Sequence, residues 1–273
     1  FVLQNAGIET NLTAENFIGF SGGVVDVESQ VAALGSEVVF ESATTTMEVG
    51  QSAVFDNNLN KVVFVYTDVG NSSYGTAVVG TVSGTSISFG TPVVFESATT
   101  EYVSATFDST NNKVVVVYSD RGNSDYGTAI VGTVSGTSIS FGSPVVFESA
   151  DAEFTVATFD SNLSKVVVAY HDNGNSSYGT AVVGTVSGTG ISFGTPVVFE
   201  AADTRDISAT FDSTSNKVVI AYKDVGNSNY GTSIVGTVSG TSISFGSAAV
   251  YEAAEASFNS VEFDPVNNKV VVA

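Results

Sequence analysis

The sequence predicts an all-β chain: a five-bladed β-propeller of 52-residue, four-stranded repeats, its ring closed by pairing N- and C-terminal strands. Three observations predict it. A strict internal period runs through the chain, each period holds four alternating or β-branched runs, and no segment carries sustained helical periodicity. "GNS" begins at Gly70, Gly122, Gly174 and Gly226, and "FD" begins at Phe55, Phe107, Phe159, Phe211 and Phe263, both stepping by 52.

Within one unit the strand-like runs are "YVSATF" (102–107), "KVVVVY" (113–118), "TAIVGTV" (128–134) and "SISFGSPVVF" (138–147). The breaks between them, "DSTNN", "SDRGNSDYG", "SGT" and "ESADAE", are rich in the Asn, Asp, Gly and Ser that permit tight turns and positive φ. Four-stranded units of this length, stacked side by side, bury both faces of each sheet against neighbours. Complete units begin near Ala53, Tyr102, Phe154 and Asp206. A fifth begins near Phe258 and stops after its second strand, at "NKVVVA".

The missing half of that unit is expected at the other end of the chain. Aligning residues 25–42 with 80–97 matches Val27 with Val82, Leu34 with Phe89, Gly35 with Gly90, and Val38, Val39 and Phe40 with Val93, Val94 and Phe95. Residues 24–40 are therefore expected to join 258–273 in one blade and remove an open sheet edge. Residues 1–23 are left as an N-terminal arm or the remnant of a preceding repeat, with 24–273 as the propeller. A rival closure pairs "FVLQ" at Phe1 with "NLTAENFIGF" (11–20). The start at Phe1 raises the expectation of a processed product or a piece of something longer.

Composition narrows the partners. The 273 residues are 43% hydrophobic, enough for a substantial core. A formal charge of −20 with only eight basic residues excludes the basic stripe that nucleic acid requires and disfavours anionic membrane surfaces. No apolar run is long enough for membrane insertion as a helix. Cysteine is absent, which removes disulfides and thiol chemistry. Together with low Lys and abundant Gly, Ser, Thr and Asn, this predicts an extracellular or virion-surface setting.

In an up-and-down meander, alternate turns fall on opposite rims. The "DRGNSDYG" turns and "ESADAE" connections then share one strongly acidic face, relieved by Arg121, Arg205 and Lys223. The opposite rim balances Asp56, Asp108, Asp160, Asp212 and Asp264 with Lys61, Lys113, Lys165, Lys217 and Lys269. The copies differ most on the acidic face. Thr67, Ser119, His171 and Lys223 occupy one equivalent position there, and "TTTMEVGQ", "TTEYV", "DAEFT" and "DTRDI" another region. Such variation reads either as a specialised binding surface or as drift in exposed loops.

Candidate ligand contacts on this face are Tyr74, Ser119, Arg121, Asp125, Tyr126, His171, Tyr178, Lys223 and Tyr230. The tyrosines offer an amphipathic surface to a sugar or anchor the next strand. His171, the single histidine, reads as a solvated loop residue. Asp68, Asp120, Asp172 and Asp224 read either as acceptors for turn N–H groups, with Gly70, Gly122, Gly174 and Gly226 left-handed, or as oxygen ligands for Ca²⁺. "DxGNS" lacks the spacing of an EF-hand loop. Glu262 replaces the Thr of Thr106, Thr158 and Thr210 and is expected to face a central channel. A lone carboxylate there does not make the acid–base pair of a glycosidase, so no catalytic residues are expected.

The unit "SATFDSTNNKVVVVYSDRGNSDYGTAIVGTVSGTSISFGSPVVF" resembles the repeat of sialidase-type propellers, whose Asp-box hairpin is similar to "SGTSISFGSP" without its Asp. Sialidases use three arginines, and this chain has only Arg121 and Arg205. Most of the chain, "NLTAENFIGF" included, resembles the tail-fibre-like repeat proteins of marine bacteriophages and bacteria. That resemblance implies a non-enzymatic attachment module binding a cell-surface glycan or receptor, with neighbouring fibre subunits as further partners. The alternative is a purely structural spacer in a fibre or filament.

Overall fold

The computed structural model describes residues 2–5, 8–11, 37–42 and 50–273. The chain divides into two compact units, Phe1–Ser36 and Glu37–Ala273. In the first, β1 (Val2–Asn5) and β2 (Ile8–Asn11) form an antiparallel hairpin, with Val2 opposite Asn11 and Asn5 opposite Ile8. Of the 11–20 segment in the rival closure, Asn11 pairs with Val2, and residues 12–20 lie outside the described residues.

The second unit is built of repeats. The first contains β3 (Gln51–Asp56), β4 (Lys61–Asp68), β5 (Tyr74–Ser83) and β6 (Ser86–Phe89). Then come β7 (Val93–Asp108), β8 (Lys113–Asp120), β9 (Tyr126–Ser135) and β10 (Ser138–Phe141). The third repeat has β11 (Val145–Asp160), β12 (Lys165–Asp172), β13 (Tyr178–Ser187) and β14 (Gly190–Phe193). The fourth has β15 (Val197–Asp212), β16 (Lys217–Asp224), β17 (Tyr230–Ser239) and β18 (Ser242–Phe245), followed by β19 (Ala249–Glu255). The last hairpin joins β20 (Val261–Asp264) to β21 (Lys269–Val272). All pairings are antiparallel meanders.

One expectation fails in an instructive way. The connections between repeats, read as loops, are extended. β7, β11 and β15 each run 16 residues from the outer edge of one sheet into the innermost strand of the next. In β11, Val145 lies opposite Ala129 of β9, while Phe159 lies opposite Val166 of β12. Register shifts at Glu148/Asp151 and Glu153/Val156 absorb the turn between sheets. Bulges let a polar segment keep its backbone groups paired while it changes direction, which a composition-based loop reading does not see.

The second strands are apolar without alternation because neighbouring sheets cover both faces. Val114 to Tyr118 are all fully buried, and so are Val166 to Tyr170. One core joins Val63, Val65, Ala77 and Val79 to Val114, Val116, Tyr118 and Ile130, so each interface is shared between adjacent repeats. Phe95 seals the interface against Tyr118 and Phe141, at centroid distances of 5.3 and 5.6 Å. Phe147 and Phe199 repeat this on Tyr170 and Tyr222.

Phe40 performs the same role on the first repeat. Its ring lies 5.3 Å from Tyr66 and 5.8 Å from Phe89, and the Tyr66 hydroxyl reaches Glu41 as that of Tyr118 reaches Glu96. The alignment of 38–40 with 93–95 is thus matched in packing, although residues 37–42 form no strand. Residues 24–36 of the expected closing segment lie outside the described residues. Among the described residues, β20 and β21 pair only with each other.

The innermost strands of the repeats, β3, β7, β11, β15 and β20, line a common channel. Ser52, Ser104, Val156 and Ser208 form one level, and Val54, Thr106, Thr158, Thr210 and Glu262 a deeper one, around about 290 Å³. Glu262 faces this channel as its position predicts.

Candidate functional site

The "DxGNS" turns are short 3₁₀ turns capped by their aspartates. Asp120 Oδ1 accepts the Gly122 N–H at 3.0 Å, and Asp68, Asp172 and Asp224 accept from Asn71, Asn175 and Asn227 at 3.0, 3.1 and 3.0 Å. Burial raises the Asp120, Asp172 and Asp224 carboxyls above the usual range, against the pull of those turn N–H groups. No group of three or more His, Asp or Glu side chains placed to share a metal ion occurs among the described residues.

The glycine expectation needs correction. The left-handed residues are Ser72 and Ser73, Ser124 and Asp125, Ser176 and Ser177, and Ser228 and Asn229, with φ between 58° and 64°. Gly70, Gly122, Gly174 and Gly226 are not left-handed. Glycine is required at the last three for space: a Cβ on Gly122, Gly174 or Gly226 would lie 2.4 Å from the Cβ of Ala98, Ala150 or Ala202.

The variable position beside each turn is not a free loop site either. Thr67, Ser119 and His171 are each 2% exposed, and each resident finds its own partner. Thr67 Oγ1 donates to the Thr100 carbonyl at 2.9 Å, and Ser119 Oγ donates to that of Asp125 at 3.2 Å. Lys223 Nζ reaches Glu255 at 2.8 Å. His171, expected in solvent, is buried: Nδ1 lies 2.7 Å from the Thr204 carbonyl, Nε2 2.8 Å from Asn173 Oδ1, and the Phe154 ring packs at 5.9 Å. Thr67, His171 and Lys223 fasten the turn side of one repeat to the strand that follows it, whereas Ser119 closes its own turn.

Of the expected ligand contacts, Ser119, Arg121 and Asp125 come together in one turn, Ser119 and Arg121 both meeting Asp125. Arg121 bridges Glu101 at 2.6 Å and Asp125 at 3.7 Å. Tyr74, Tyr126, Tyr178 and Tyr230 are half-buried at the first position of their strands, each opposite a capping aspartate.

The structure assembles a different constellation. Gly50, Tyr102, Phe154, Asp206 and Phe258 are equivalent positions stepping by 52, and all five have positive φ, at 88°, 50°, 48°, 49° and 58°. They ring the acidic-face mouth of the central channel, around a cavity of about 560 Å³. In β7, β11 and β15 the position is the bulge at which an inner strand leaves its partner's register, between Glu101 and Ser104 in β7. Side chains of the next repeat hold two of these bulges: Thr155 Oγ1 donates to the Tyr102 carbonyl, and Asn259 Nδ2 to that of Asp206 at 3.0 Å.

Such a bulge takes glycine without strain. A bulky side chain in the left-handed region costs about 1–2 kcal/mol. Tyr102 and Phe154 nevertheless stand there with rings 4.9 Å apart, and Phe258 is 87% exposed. The surroundings are acidic. Burial, then Glu153, Glu101 and Asp151, push the Tyr102 phenol up to about 12, with Arg121 acting in the opposite sense.

One signal for this site was available in the sequence, since 102, 154, 206 and 258 fall in the segment that varies most between copies. Their shared backbone conformation was not readable there.

Stacked four-stranded sheets around one axial channel define an all-β, propeller-like fold. No protein-family model matches the chain, and no curated protein matches it in sequence. Solved structures match it in fold. AofleA from Arthrobotrys oligospora superposes with a TM-score of 0.53 at 9% identity, over 82% of this chain and 64% of that one. A triple arginine-to-alanine mutant of AofleA gives 0.56 at 11%, over 84% and 65%. The SapL1 lectin in complex with α-methyl fucoside gives 0.47 at 12%, over 80% and 67%. The chain thus spans about two thirds of the length of each of these structures.

Proposed function

We propose that this protein is a non-enzymatic carbohydrate-binding module that works outside the cell, as an attachment part of a fibre, and takes its ligand at the acidic-face mouth of the channel. A five-bladed ring completed by residues 24–40 is the architecture that goes with this reading. The observation that carries it is the set of aromatic side chains kept at left-handed bulge positions. Conformational strain that glycine would relieve persists where the side chain has a use. Aromatic rings around a cavity, here Phe258 exposed and Tyr102 and Phe154 half-buried, offer flat apolar faces to the C–H surface of a sugar, while neighbouring carboxylates accept its hydroxyl groups. Each of the two axial cavities has one carboxylate in its lining, Asp206 at the mouth and Glu262 in the channel. Glycoside hydrolysis ordinarily uses a pair flanking the bond.

The test is a glycan array probed with the whole chain, followed by titration of the best glycan against Tyr102→Gly and Phe154→Gly. Each substitution is expected to weaken binding roughly tenfold or more, about 1.4 kcal/mol, while leaving the chain folded. Binding unchanged in both variants, or no binding on the array by folded protein, refutes the reading.

A further inference from the structure

We infer that the ligand at this mouth carries a protonated amine: a saccharide with free amino groups, its ammonium seated against the aromatic rings and Asp206. The inference rests on the carbohydrate reading above and narrows it. Tyr102, Phe154 and Phe258 line the cavity together with one carboxylate, Asp206, and no Lys or Arg lines it. Aromatic faces present the negative side of their quadrupole, so rings gathered about a carboxylate form a cage for an organic cation.

The charges around the mouth point the same way. Glu153, Glu101 and Asp151 act on Tyr102, and Asp203, Glu153 and Asp206 act on Arg205. Five carboxylates thus surround two guanidiniums, and both guanidiniums are engaged. Arg121 is held by Glu101 at 2.6 Å, and Arg205 by both oxygens of Asp203 at 3.1 and 2.9 Å.

The path below the mouth keeps the same sign. From position 258 to position 262 the chain, which enters β20 at Val261, spans at most about 13 Å at ~3.3 Å per residue. That span passes a hydroxyl-lined level and ends at Glu262, the one charged residue in the channel lining. A uronic or sulfated sugar would meet uncompensated carboxylates here. A neutral sugar offers them hydroxyl donors and no charge, whereas an aminosugar adds an ion pair at the rim and meets a second carboxylate further in. A net charge of −20 also steers cations toward the chain.

Calorimetric titration of the whole chain, at mildly acidic pH and low salt, compares oligomers of β-1,4-linked glucosamine, N-acetylglucosamine and glucose. The glucosamine oligomer is expected to bind at least about tenfold more tightly than the other two. Asp206→Asn is expected to erase that preference while leaving residual binding of the neutral oligomers, and added salt to shrink it. Equal affinity for the three oligomers, or a preference that survives Asp206→Asn combined with Glu262→Gln, overturns the inference and leaves the carbohydrate reading standing. If none of the oligomers binds the chain, and the glycan array is also blank, the carbohydrate reading falls and the inference with it.

Discussion

Replacing Phe258 by glycine should make the protein more stable, which is unusual for removal of a large apolar side chain. Phe258 has φ of 58° and is 87% exposed, so truncation takes little apolar surface out of the core. Truncating a buried Phe typically costs about 3–5 kcal/mol. Here the side chain contributes little of that, while its left-handed backbone costs about 1–2 kcal/mol. Set against this is the extra freedom glycine gives the unfolded chain, about 0.5–1 kcal/mol. The net expectation for Phe258→Gly is stabilisation by roughly 0.5–1 kcal/mol, or about 1–4 °C in Tm for a domain of this size.

Phe258→Ala keeps the Cβ and so keeps the strain. It should fall below Phe258→Gly by about 1 kcal/mol. Chemical denaturation of the three proteins measures both differences, and titration with the best glycan shows whether Phe258→Gly loses affinity as it gains stability. Destabilisation of the glycine variant by more than about 1 kcal/mol, or an alanine variant as stable as glycine, would refute the claim that strain is stored at the mouth.

Three further expectations concern the turns and the pH response. Gly122→Ala should destabilise by about 1–3 kcal/mol, because the new Cβ must displace Ala98, 2.4 Å away, whereas Ser124→Gly should be neutral or mildly stabilising at φ 60°; the reverse order in denaturation would restore the left-handed glycine reading. His171→Leu should cost about 1–3 kcal/mol, since it strands the Thr204 carbonyl in a buried site; a solvated histidine would change stability by less than about 0.5 kcal/mol. Glu96, Glu148, Asp120, Asp172 and Asp224 all have carboxyls raised by burial, so the folded state binds protons more readily than the unfolded chain. Asp212, Glu255 and Asp264 are lowered by their hydrogen-bond partners and act in the opposite sense, so stability should rise as pH falls from neutral toward the raised values and turn down further on the acid side as those three protonate, giving a maximum in urea denaturation. Stability that declines steadily from neutral pH downward would contradict that sign.

Much of the fold was legible because the repeat writes all four of its strands four times and its first two a fifth time. The valine runs of the second strands and the Asp-led turns reappear where the period puts them, and Val38, Val39 and Phe40 align with a segment whose packing Phe40 reproduces. What escaped is what composition confounds. Gly122 looks like a residue chosen for its φ, yet it is chosen for its missing Cβ, and the left-handed role passes to Ser124 and Asp125. "ESADAE" is polar enough to read as a loop, but bulges keep it within the sheets. His171 lies in a polar stretch, and only the neighbouring bulged strand, with Asp203 and Thr204, buries it. The mouth was half visible. Its positions vary between copies, which sequence records, but they share a backbone conformation that sequence does not.

The most direct test of the account is a crystal structure of the whole chain with the tightest-binding oligosaccharide. The account predicts a sugar stacked on Tyr102, Phe154 and Phe258, with a polar or amino group at Asp206. A sugar seated instead on the outer strands, or on the turns at Tyr74, Tyr126, Tyr178 and Tyr230, with the mouth empty, would contradict it.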